Sequence, residues 1–326
     1  MNEVPSGLIK FIQTGNKFLI AGHKEPDGDC VGSQLALSSV LRRLGKEAVP
    51  CSAGPFKRTE VKPYEKFFIG EPGKAEREGS RVITVDCSAV SRTGDLAPFL
   101  EGLPSAVIDH HGAGDHPEHS AEFYLDPGAP STTFMIQRLI GALGLEPDRE
   151  EARLLLFGLC TDTGFFRHVD STGAETFAAA SELIRAGASP KQIFLDINGG
   201  KSLDSRRLLA MALLRAESHF GGRLIFSSEE MEETVRFGSE GRDSDSLYQM
   251  FQSVAGVEAV VIIRQEEAGK CAVGFRSRDA VDVAAIAASF GGGGHKNAAG
   301  AAVPGTIAEL RPKILEKFER IFNSVR

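Results

Sequence analysis

The sequence lacks several features that would assign it at once to a large class of proteins. Its 326 residues contain five cysteines and no C-x-x-C pair, so neither a disulfide framework nor a paired-thiol motif is indicated. No apolar run approaches the ~18 residues that a membrane-spanning helix requires. The first fifteen residues contain no basic stretch followed by an apolar one. We therefore expect a cytoplasmic protein that does not interact with membranes.

A surplus of positive charge is also missing, since the formal net charge is −7. Proteins that coat long nucleic acids usually have a basic face, so this balance argues against long duplexes as partners. Two common enzyme motifs are absent. There is no G-x-S-x-G elbow, and segment 195–202 (LDINGGKS) has leucine where a P-loop needs its first glycine. Small anionic ligands, held by a few local cations, remain compatible with the composition.

The chain is long enough for two domains with separate cores. Residues 17 to about 190 alternate short β-rich runs with amphipathic helical stretches, which favours an α/β fold with a mostly parallel sheet flanked by helices. The remainder predicts a smaller α+β domain. We expect the domains at 1–190 and 216–326, joined by a linker at 191–215 that includes a Gly/Lys/Ser-containing connection.

Within the second domain, the β-rich runs 223–228 and 258–278 predict an antiparallel hairpin system with a turn at EEAGK. Helical periodicity follows at 282–290 and 306–322. This pattern of strands followed by helices is the basis of the α+β prediction.

Polar residues close the apolar runs of the first domain at the points where the predicted strands end. KFLIAGH ends at His23, RVITVD at Asp86, and SAVIDHH includes Asp109–His111. In an open parallel sheet the carboxyl ends of the strands meet at one edge. The helical run EEARLLLFGLC leads to Asp162, which we place at the same edge, so four separated segments are expected to converge.

This convergence would gather four carboxylates and two imidazoles in one pocket. They belong to Asp27, Asp29, Asp86, Asp162, His23 and His110. Two carboxylates ~4 Å apart repel by roughly 4 kcal/mol at an effective dielectric near 20, so the group needs cations to stay ionised. Two divalent cations would bring its charge to zero. Oxygen and imidazole ligands without thiolate favour Mn²⁺, with Co²⁺, Fe²⁺, Zn²⁺ or Mg²⁺ as alternatives.

A dinuclear centre matches one reaction class in particular. A pair of metal ions clamps an in-line displacement at phosphorus and lowers the pKa of a bridging water, which predicts phosphoester hydrolysis. Each motif alone has a plainer interpretation, because H-x-x-x-D-x-D can also be an Asp-rich turn or a helix cap. The joint occurrence of the motifs, each after an apolar run, favours the metal interpretation.

Five motifs, in order along the chain, carry a resemblance to a known family. They are HKEPDGDCVGS, TVDCSAVSRTGDL, VIDHHGAGDH, GLCTDTGFFRH and FGGGGHKNAAGA. With them the chain resembles the DHH phosphoesterase superfamily, and most closely its bacterial nanoRNase and pAp phosphatase branch. The resemblance implies a DHH metal-binding domain, a DHH-associated substrate-binding domain, and an active site in the cleft between them.

The resemblance also implies roles for individual residues. One metal would be held by His23, Asp27 and Asp86, and the other by Asp29, Asp86, His110 and Asp162. Asp86 would then bridge the two ions. Asp109 would orient an imidazole, and His111 would meet the scissile phosphate. Asp86, Asp109 and His111 are therefore the predicted catalytic residues.

Substrate contacts are expected mainly from the second domain. The predicted residues there are Arg276, Ser277, Arg278, Gly292, Gly293, Gly294 and His295. Glycines allow the backbone to approach an anion closely, and the arginines supply directed charge. A flexible loop beside a surface arginine pair is the alternative. In the first domain Arg92, Ser131 and Thr132 are candidates to reach substrate oxygens, although surface arginines and helix-capping hydroxyls are common.

The resemblance implies hydrolysis of short oligoribonucleotides (nanoRNA), of pAp, or of both, by attack of a metal-bridging hydroxide. It leaves open a cyclic dinucleotide phosphodiesterase acting on c-di-AMP or linear pApA, a pyrophosphatase or exopolyphosphatase, and a nucleotide sensor without catalysis. A homodimer is compatible with the size of the chain. His116, His119 and His168 match no role.

Overall fold

The chain divides into two compact units, Met1–Gly200 and Lys201–Arg326. A computed structural model describes residues 2–111, 122–238, 242–278 and 281–324, so His116 and His119 lie outside the described residues. No helix in these described ranges combines the length and the apolar character needed to cross a membrane.

The elements of the first unit follow one another in a β/α pattern. Its strands are β1 (Lys17–Ala21), β2 (Glu47–Cys51), β3 (Arg81–Val85), β4 (Ser105–Asp109) and β5 (Glu122–Leu125). Its helices are α1 (Ser6–Thr14), α2 (Gly28–Arg43), α3 (Lys74–Arg77), α4 (Ala97–Leu100), α5 (Thr132–Ala142), α6 (Arg149–Asp162), α7 (Ala174–Arg185) and α8 (Pro190–Asn198), with 3₁₀ segments at Lys62–Phe67 and Val90–Leu96.

The five strands form one sheet in the order β2-β1-β3-β4-β5, and every pairing is parallel. This confirms the predicted parallel sheet. Successive residues of β1 serve opposite faces: Phe18 and Ile20 belong to the larger core, and Leu19 belongs to a smaller one that contains Leu96 and Leu100. Because both faces are covered, the central strands are almost continuously apolar, which made them recognisable in the sequence.

Helices α2 and α6 pack against each other through glycines. A Cβ atom at Gly32 would lie 2.6 Å from the carbonyl oxygen of Leu154, and one at Gly28 would lie 2.4 Å from Cγ2 of Thr161. Near the other ends of the two helices, Ser39 donates a 2.7 Å hydrogen bond to Glu151. The helices are therefore antiparallel, and the start of α2 lies beside the end of α6.

The second unit contains the remaining elements. Its strands are β6 (Glu217–His219), β7 (Leu224–Glu229), β8 (Ala259–Glu267), β9 (Lys270–Ser277), β10 (Gly293–His295) and β11 (Ala298–Pro304). Its helices are α9 (Leu203–Leu214), α10 (Met231–Phe237), α11 (Ser244–Gln252), α12 (Val283–Ala288) and α13 (Ile307–Ser324), with a 3₁₀ segment at Phe220–Gly222. Of the segment 191–215, the part up to Asn198 lies in α8 and most of the rest lies in α9.

The second sheet has six strands in the order β10-β11-β9-β8-β7-β6, which confirms the α+β class. Strands β8 and β9 form the predicted antiparallel hairpin. The prediction of an entirely antiparallel system is wrong for β7, which pairs with β8 in parallel. Parallel neighbours need a long crossover, and α10 and α11 occupy the chain between these two strands.

Each face of the second sheet has its own apolar cluster. Val261 and Phe275 belong to the cluster that includes Ile314 and Phe318 of α13. The opposite cluster includes Ile262 of β8 and Tyr248 of α11. Residues two apart on a strand share a face, so successive side chains of β9 alternate between the two faces of the sheet.

Candidate metal centre

The site is built on the ends of three neighbouring strands of the first sheet. The chain passes from β1 to β2 on one side and returns to β3 on the other, so the strand order reverses at the β1–β3 neighbours. Ligands of open α/β sheets bind at such a switch point, beyond the carboxyl ends of the strands. His23 follows β1, Asp86 follows β3, and His110 follows β4.

The imidazole of His23 forms the first cluster. Its Nε2 lies 3.4 Å from Oδ2 of Asp86 and 3.9 Å from Oδ1 of Asp27. Its Nδ1 lies 2.8 Å from the carbonyl oxygen of Lys24. A carbonyl oxygen only accepts hydrogen bonds, so Nδ1 is the protonated nitrogen of the neutral ring. The lone pair of Nε2 is then directed at the carboxylates, as a metal ligand requires.

The imidazole of His110 is the centre of the second cluster, in which carboxylates again surround Nε2 and a carbonyl oxygen lies beside Nδ1. Its Nε2 lies 3.0 Å from Oδ2 of Asp162, 3.6 Å from Oδ1 of Asp86 and 3.9 Å from Oδ2 of Asp29. Its Nδ1 lies 3.3 Å from the carbonyl oxygen of Ala129. The proton of the neutral ring therefore faces Ala129, and Nε2 faces three carboxylates.

Asp86 belongs to both clusters. Its Oδ2 faces His23 and its Oδ1 faces His110, while the hydroxyl of Thr132 donates a 3.0 Å hydrogen bond to Oδ1. The residue has a φ of 60°, a left-handed conformation that aspartate tolerates better than most residues. Its N–H donates to the carbonyl of Ile108 at 3.0 Å, which holds this strained backbone in place.

Asp29 is completely buried, and the start of α5 stabilises its charge. Its carboxylate accepts hydrogen bonds from the N–H of Thr132 at 2.6 Å, the N–H of Thr133 at 2.8 Å and the hydroxyl of Thr133 at 2.7 Å. The first N–H groups of a helix have no partner inside the helix and lie at the positive end of its dipole. The fold therefore supplies a cradle for this carboxylate.

Asp27 and Asp162 lie at the adjoining ends of α2 and α6. Oδ1 of Asp27 caps α2 by accepting hydrogen bonds from the N–H groups of Asp29 and Cys30, each at 3.1 Å, so the helix-cap interpretation holds for this oxygen. Asp162 is the last residue of α6, the end of a helix where a carboxylate is disfavoured. A residue that breaks a local rule in this way indicates a functional constraint.

The electrostatics of the cluster agree with cation binding. Burial raises the pKa of Asp29 well above its usual range, and the charges of Asp86 and Asp162 raise it further. Burial also raises the pKa of Asp86. Burial alone would lower the pKa of His23, but its hydrogen bonds with Asp27 and Asp86 outweigh that effect and raise the pKa well above its ordinary value. Burial likewise lowers the pKa of His110, but its hydrogen bond with Asp162 and the nearby carboxylate charges outweigh that effect and raise the pKa to about 10.

These residues fit divalent cations. In the described part of the chain, the ion pairs of the four carboxylates are all with histidines, and none is with lysine or arginine. Three overlapping groups of ligand atoms each lie within 4.8 Å of one another: His23 with Cys30 and Asp86, Asp86 with His110 and His111, and Asp29 with His110 and Asp162. Imidazole nitrogens and carboxylate oxygens are ligands that Mn²⁺ and other divalent first-row transition metals accept.

Cys30 is a member of the first group that the sequence did not point to. The thiol is buried, and burial raises its pKa to about 12, so it stays a neutral thiol near pH 7. Gly22 makes room for it, because a Cβ atom there would lie 2.2 Å from its sulfur. An unpaired cysteine after a glycine-containing strand end gives no distinctive sequence signal.

His111 is oriented by Asp109. Oδ1 of the buried Asp109 lies 2.7 Å from Nδ1 of His111 and also accepts the backbone N–H of His111 at 3.1 Å. The hydrogen bond with Asp109 raises the pKa of His111 above its ordinary value. The side chain is 39% exposed, and Nδ1 lies 3.7 Å from Oδ1 of Asp86. Nδ1 is occupied by Asp109, so Nε2 is the nitrogen left for a ligand.

The remaining candidates of the first unit have different surroundings. Arg92 is exposed, and its carbonyl oxygen accepts the N–H of Lys24 at 2.8 Å, which ties its loop to the one that follows β1. For Ser131 and Thr132 the structure favours the alternative to substrate contact, a role within the protein. Both are fully buried: Ser131 caps α5, and Thr132 bonds to Asp86. His168 is exposed. In the described part of the chain, it forms no hydrogen bond with a residue of the two clusters.

The candidates of the second unit lie around the ends of β9 and β10. The hydroxyl of Ser277 is buried and donates to the carbonyl of Val281 at 2.6 Å, so it holds the loop after β9. Arg276 is partly exposed, and Arg278 is exposed and donates to the carbonyl of Gln252 at 2.6 Å. His295, the last residue of β10, is exposed.

The three glycines before His295 are not equivalent. A Cβ atom at Gly292 would lie 2.1 Å from the carbonyl oxygen of Gly300, and one at Gly294 would lie 2.5 Å from that of Ala298. Packing of β10 against β11 therefore explains these two glycines. No described atom lies within 4 Å of the position that a Cβ atom of Gly293 would take, so packing does not account for this third glycine.

The packing of α6 gives a first testable expectation. A Cβ atom at Gly158 would lie 2.4 Å from Cγ2 of Thr133 and 2.9 Å from Oδ1 of Asp29. Gly158→Ala is therefore expected to lower the free energy of unfolding by about 1–3 kcal/mol through overpacking. It should also raise the concentration of divalent cation needed to half-saturate the cluster, because Asp29 is displaced.

Chemical denaturation and a calorimetric titration with divalent cations measure these two effects. Gly141→Ala is the matched control, since this helix glycine of α5 has no described atom within 4 Å of the Cβ position. The control should gain about 0.5–1 kcal/mol. If both variants gained stability and kept the wild-type metal dependence, the α2–α6 contact would not position Asp29.

Comparisons with known proteins give consistent matches along the chain. Residues 17–159 match the model described as DHH family, N-terminal domain, and residues 230–324 match the DHHA1 domain. The bifunctional oligoribonuclease and PAP phosphatase NrnA of Thermus thermophilus is 33% identical over 307 residues, which cover 94% of this chain and 88% of that protein. The cyclic-di-AMP phosphodiesterase GdpP of Geobacillus thermodenitrificans is 26% identical, with 98% of this chain and 50% of that protein covered. The crystal structure of an exopolyphosphatase-related protein from Bacteroides fragilis matches with a TM-score of 0.84 at 24% identity, covering 97% of this chain and 94% of that one.

Proposed function

The chain belongs to the DHH family, and on this premise we propose that it is a metal-dependent phosphoesterase that hydrolyses short oligoribonucleotides and pAp. The observation that carries the proposal is the position of Asp86, whose two carboxylate oxygens face two separate imidazoles that are each oriented for metal binding. The Thermus thermophilus relative, matched along most of its length, is described as an enzyme with both activities.

We propose that the centre holds two divalent cations, with Mn²⁺ favoured. His23, Asp27 and Asp86 would hold one, and the other would be held by Asp86, His110, Asp29 and Asp162. When bound, such cations supply Lewis acidity, which polarises a phosphoryl oxygen and makes water nucleophilic near neutral pH. The protein contributes the fixed imidazole orientations and the helix cradle of Asp29, so that little reorganisation is needed when substrate arrives.

His111 is the proposed contact to the scissile phosphate. Its Nδ1 is held by Asp109, which fixes the ring orientation, and the partly exposed side chain leaves Nε2 available. A protonated Nε2 would donate a hydrogen bond to a non-bridging phosphoryl oxygen, where negative charge increases during the displacement. Asp109 acts through His111 and is therefore a positioning residue.

The second unit is the proposed holder of the rest of the substrate. Within the proposed domain at 216–326, Arg276, Arg278 and His295 supply positive or hydrogen-bonding groups, and Gly293 leaves an open backbone surface. Arg92 would add a contact from the first domain, proposed at 1–190. The net charge of −7 supports substrates of a few nucleotides over long strands.

A second candidate function is a cyclic dinucleotide phosphodiesterase. The observation in its favour is the similarity to GdpP of Geobacillus thermodenitrificans, which extends over 98% of this chain. Hydrolysis of short RNA and of c-di-AMP breaks a phosphodiester bond, and hydrolysis of pAp breaks a phosphomonoester bond. The two candidates therefore share the metal centre and differ in the fit of the substrate.

Turnover of a defined substrate panel tests the proposal. The purified chain with Mn²⁺ is given pAp, linear pApA, RNA of two to five nucleotides, and c-di-AMP, and the products are separated by ion-exchange chromatography. We expect release of mononucleotides from short RNA and of AMP from pAp, with slower hydrolysis of c-di-AMP. Exclusive turnover of c-di-AMP would replace the proposal with the second candidate, and binding of all four without turnover would indicate a sensor.

A further inference from the structure

Arg276 lies on an aromatic support in the second unit. Its guanidinium carbon is 4.5 Å from the ring centroid of Tyr248, a distance typical of a cation–π contact. Tyr248 is only 4% exposed, so its ring is a fixed surface within α11 and the cluster that α11 covers. A long, flexible side chain that must bind an anion loses less freedom on binding when it already rests on such a surface.

Two arginines lie near Tyr248, and they differ in what they bind. Arg264 is 11% exposed, and its Nε lies 3.0 Å from Oε2 of Glu229 while its Nη2 donates to Ser244. Arg276 has no ion pair with a carboxylate within the described ranges, and its guanidinium donates a hydrogen bond to the carbonyl of Phe275 at 3.0 Å. The charge of Arg264 is thus neutralised inside the protein, whereas that of Arg276 is available to an anionic ligand.

A glycine makes room for the ring. Gly274 precedes Arg276 by two residues on β9, so both face the same side of the sheet. A Cβ atom at Gly274 would lie 2.0 Å from Oη of Tyr248 and 3.2 Å from its Cζ. The hydroxyl of Tyr248 therefore rests against the backbone of β9, and even an alanine at position 274 would push the ring away.

We propose that Tyr248 is a positioning residue for substrate binding, whose ring, seated on Gly274, holds Arg276 in the orientation that contacts the phosphate or nucleoside distant from the scissile bond. The inference rests on the proposed role of Arg276 in the phosphoesterase. It adds a residue pair, Tyr248 with Gly274, that determines affinity for nucleotide substrates without contacting the reacting atoms.

Steady-state kinetics of Gly274→Ala test the inference, with pAp and with bis(p-nitrophenyl) phosphate, a small diester that has no distal nucleotide. We expect KM for pAp to rise about five- to tenfold, the range that loss of a cation–π contact predicts. The kcat for pAp and the kinetics with the small diester should stay within about twofold, since the metal centre is untouched. Gly269→Ala, in the turn of the same hairpin and with nothing described within 4 Å of the Cβ position, is the matched control.

Removal of the tyrosine hydroxyl should rescue the alanine variant. In the double variant Y248F/G274A the nearest ring atom to the new Cβ is Cζ at 3.2 Å, so a shift of a few tenths of an ångström keeps the ring under Arg276. We expect KM to return to within about twofold of wild type. This rescue separates positioning from general loss of folding. A wild-type KM in G274A, or an elevated KM that Y248F does not correct, would overturn the inference.

Arg276→Ala distinguishes this inference from the proposed function. We expect it to raise KM for pAp at least as much as G274A, and adding G274A should then have no further effect. An unchanged KM in R276A would contradict the proposed role of Arg276 and the inference with it. An elevated KM in R276A beside a wild-type KM in G274A would overturn the positioning role alone.

Discussion

Asp86→Asn is expected to lower kcat/KM for pAp and for short RNA by about 10³-fold or more. Asparagine retains the shape of the side chain but removes the charge that faces both His23 and His110. Loss of one preorganised electrostatic contact costs an enzyme about 10²–10³ in rate, and Asp86 is proposed to serve two metal sites at once, so we expect a loss at or above the upper end of that range. Initial rates at saturating Mn²⁺, with the detection limit set by the no-enzyme control, measure the effect.

The fold should survive this substitution. Burial raises the pKa of Asp86, which means that the metal-free protein does not gain stability from this negative charge. The thermal unfolding midpoint without metal should therefore be at or above that of wild type. Asp204→Asn removes the same charge from an exposed residue that pairs with Arg207, and it should be fully active. Activity of D86N within tenfold of wild type would contradict the role of Asp86 as the shared ligand.

His111→Asn is expected to lower kcat by about 10²–10³-fold while leaving Mn²⁺ affinity close to wild type. The loss follows from removing the one group proposed to donate to the phosphoryl oxygen. His111 lies close to Asp86 and His110, but its Nδ1 is held by Asp109 and its ring is therefore proposed to face the substrate rather than a metal ion. Rates at saturating substrate and a calorimetric Mn²⁺ titration measure the two properties independently.

Asp109→Asn is the companion variant for His111. Its amide retains an oxygen that can accept the hydrogen bond from His111, so the ring orientation is partly kept and a smaller loss of about 10–100-fold is expected. If H111N bound Mn²⁺ far more weakly than wild type, His111 would be a metal ligand. If H111N kept wild-type kcat, neither it nor Asp109 would serve the phosphate.

The sequence predicted the first sheet and its polar edge because both depend on local patterns. A strand buried on both faces must be apolar along its length, so the polar residues that end β1, β3 and β4 are conspicuous. The strand order then brings His23, Asp86 and His110 together. The sequence did not indicate how Asp29 is tolerated, since its bonds to Thr132 and Thr133 span more than a hundred residues. Long-range contacts of this kind leave no periodic signal.

The roles of the glycines were the hardest feature to predict from the sequence. The run before His295 predicted an anion cradle, yet packing between β10 and β11 already requires Gly292 and Gly294. Conversely, the sequence predicted no role for Gly158 or Gly274, and the structure places each against a side chain of the site or of its support. The partner of a missing Cβ atom is set by tertiary packing, so the function of a glycine emerges only when the neighbouring element is known.

The number and position of bound metal ions test the central claim most directly. Crystals grown with Mn²⁺ and measured on both sides of the manganese absorption edge would locate the ions without reference to activity. We predict two anomalous peaks per chain, one beside Nε2 of His23 and one beside Nε2 of His110, with Asp86 contacting both. A single peak that excludes either histidine, or no peak at these carboxylates, would contradict the account.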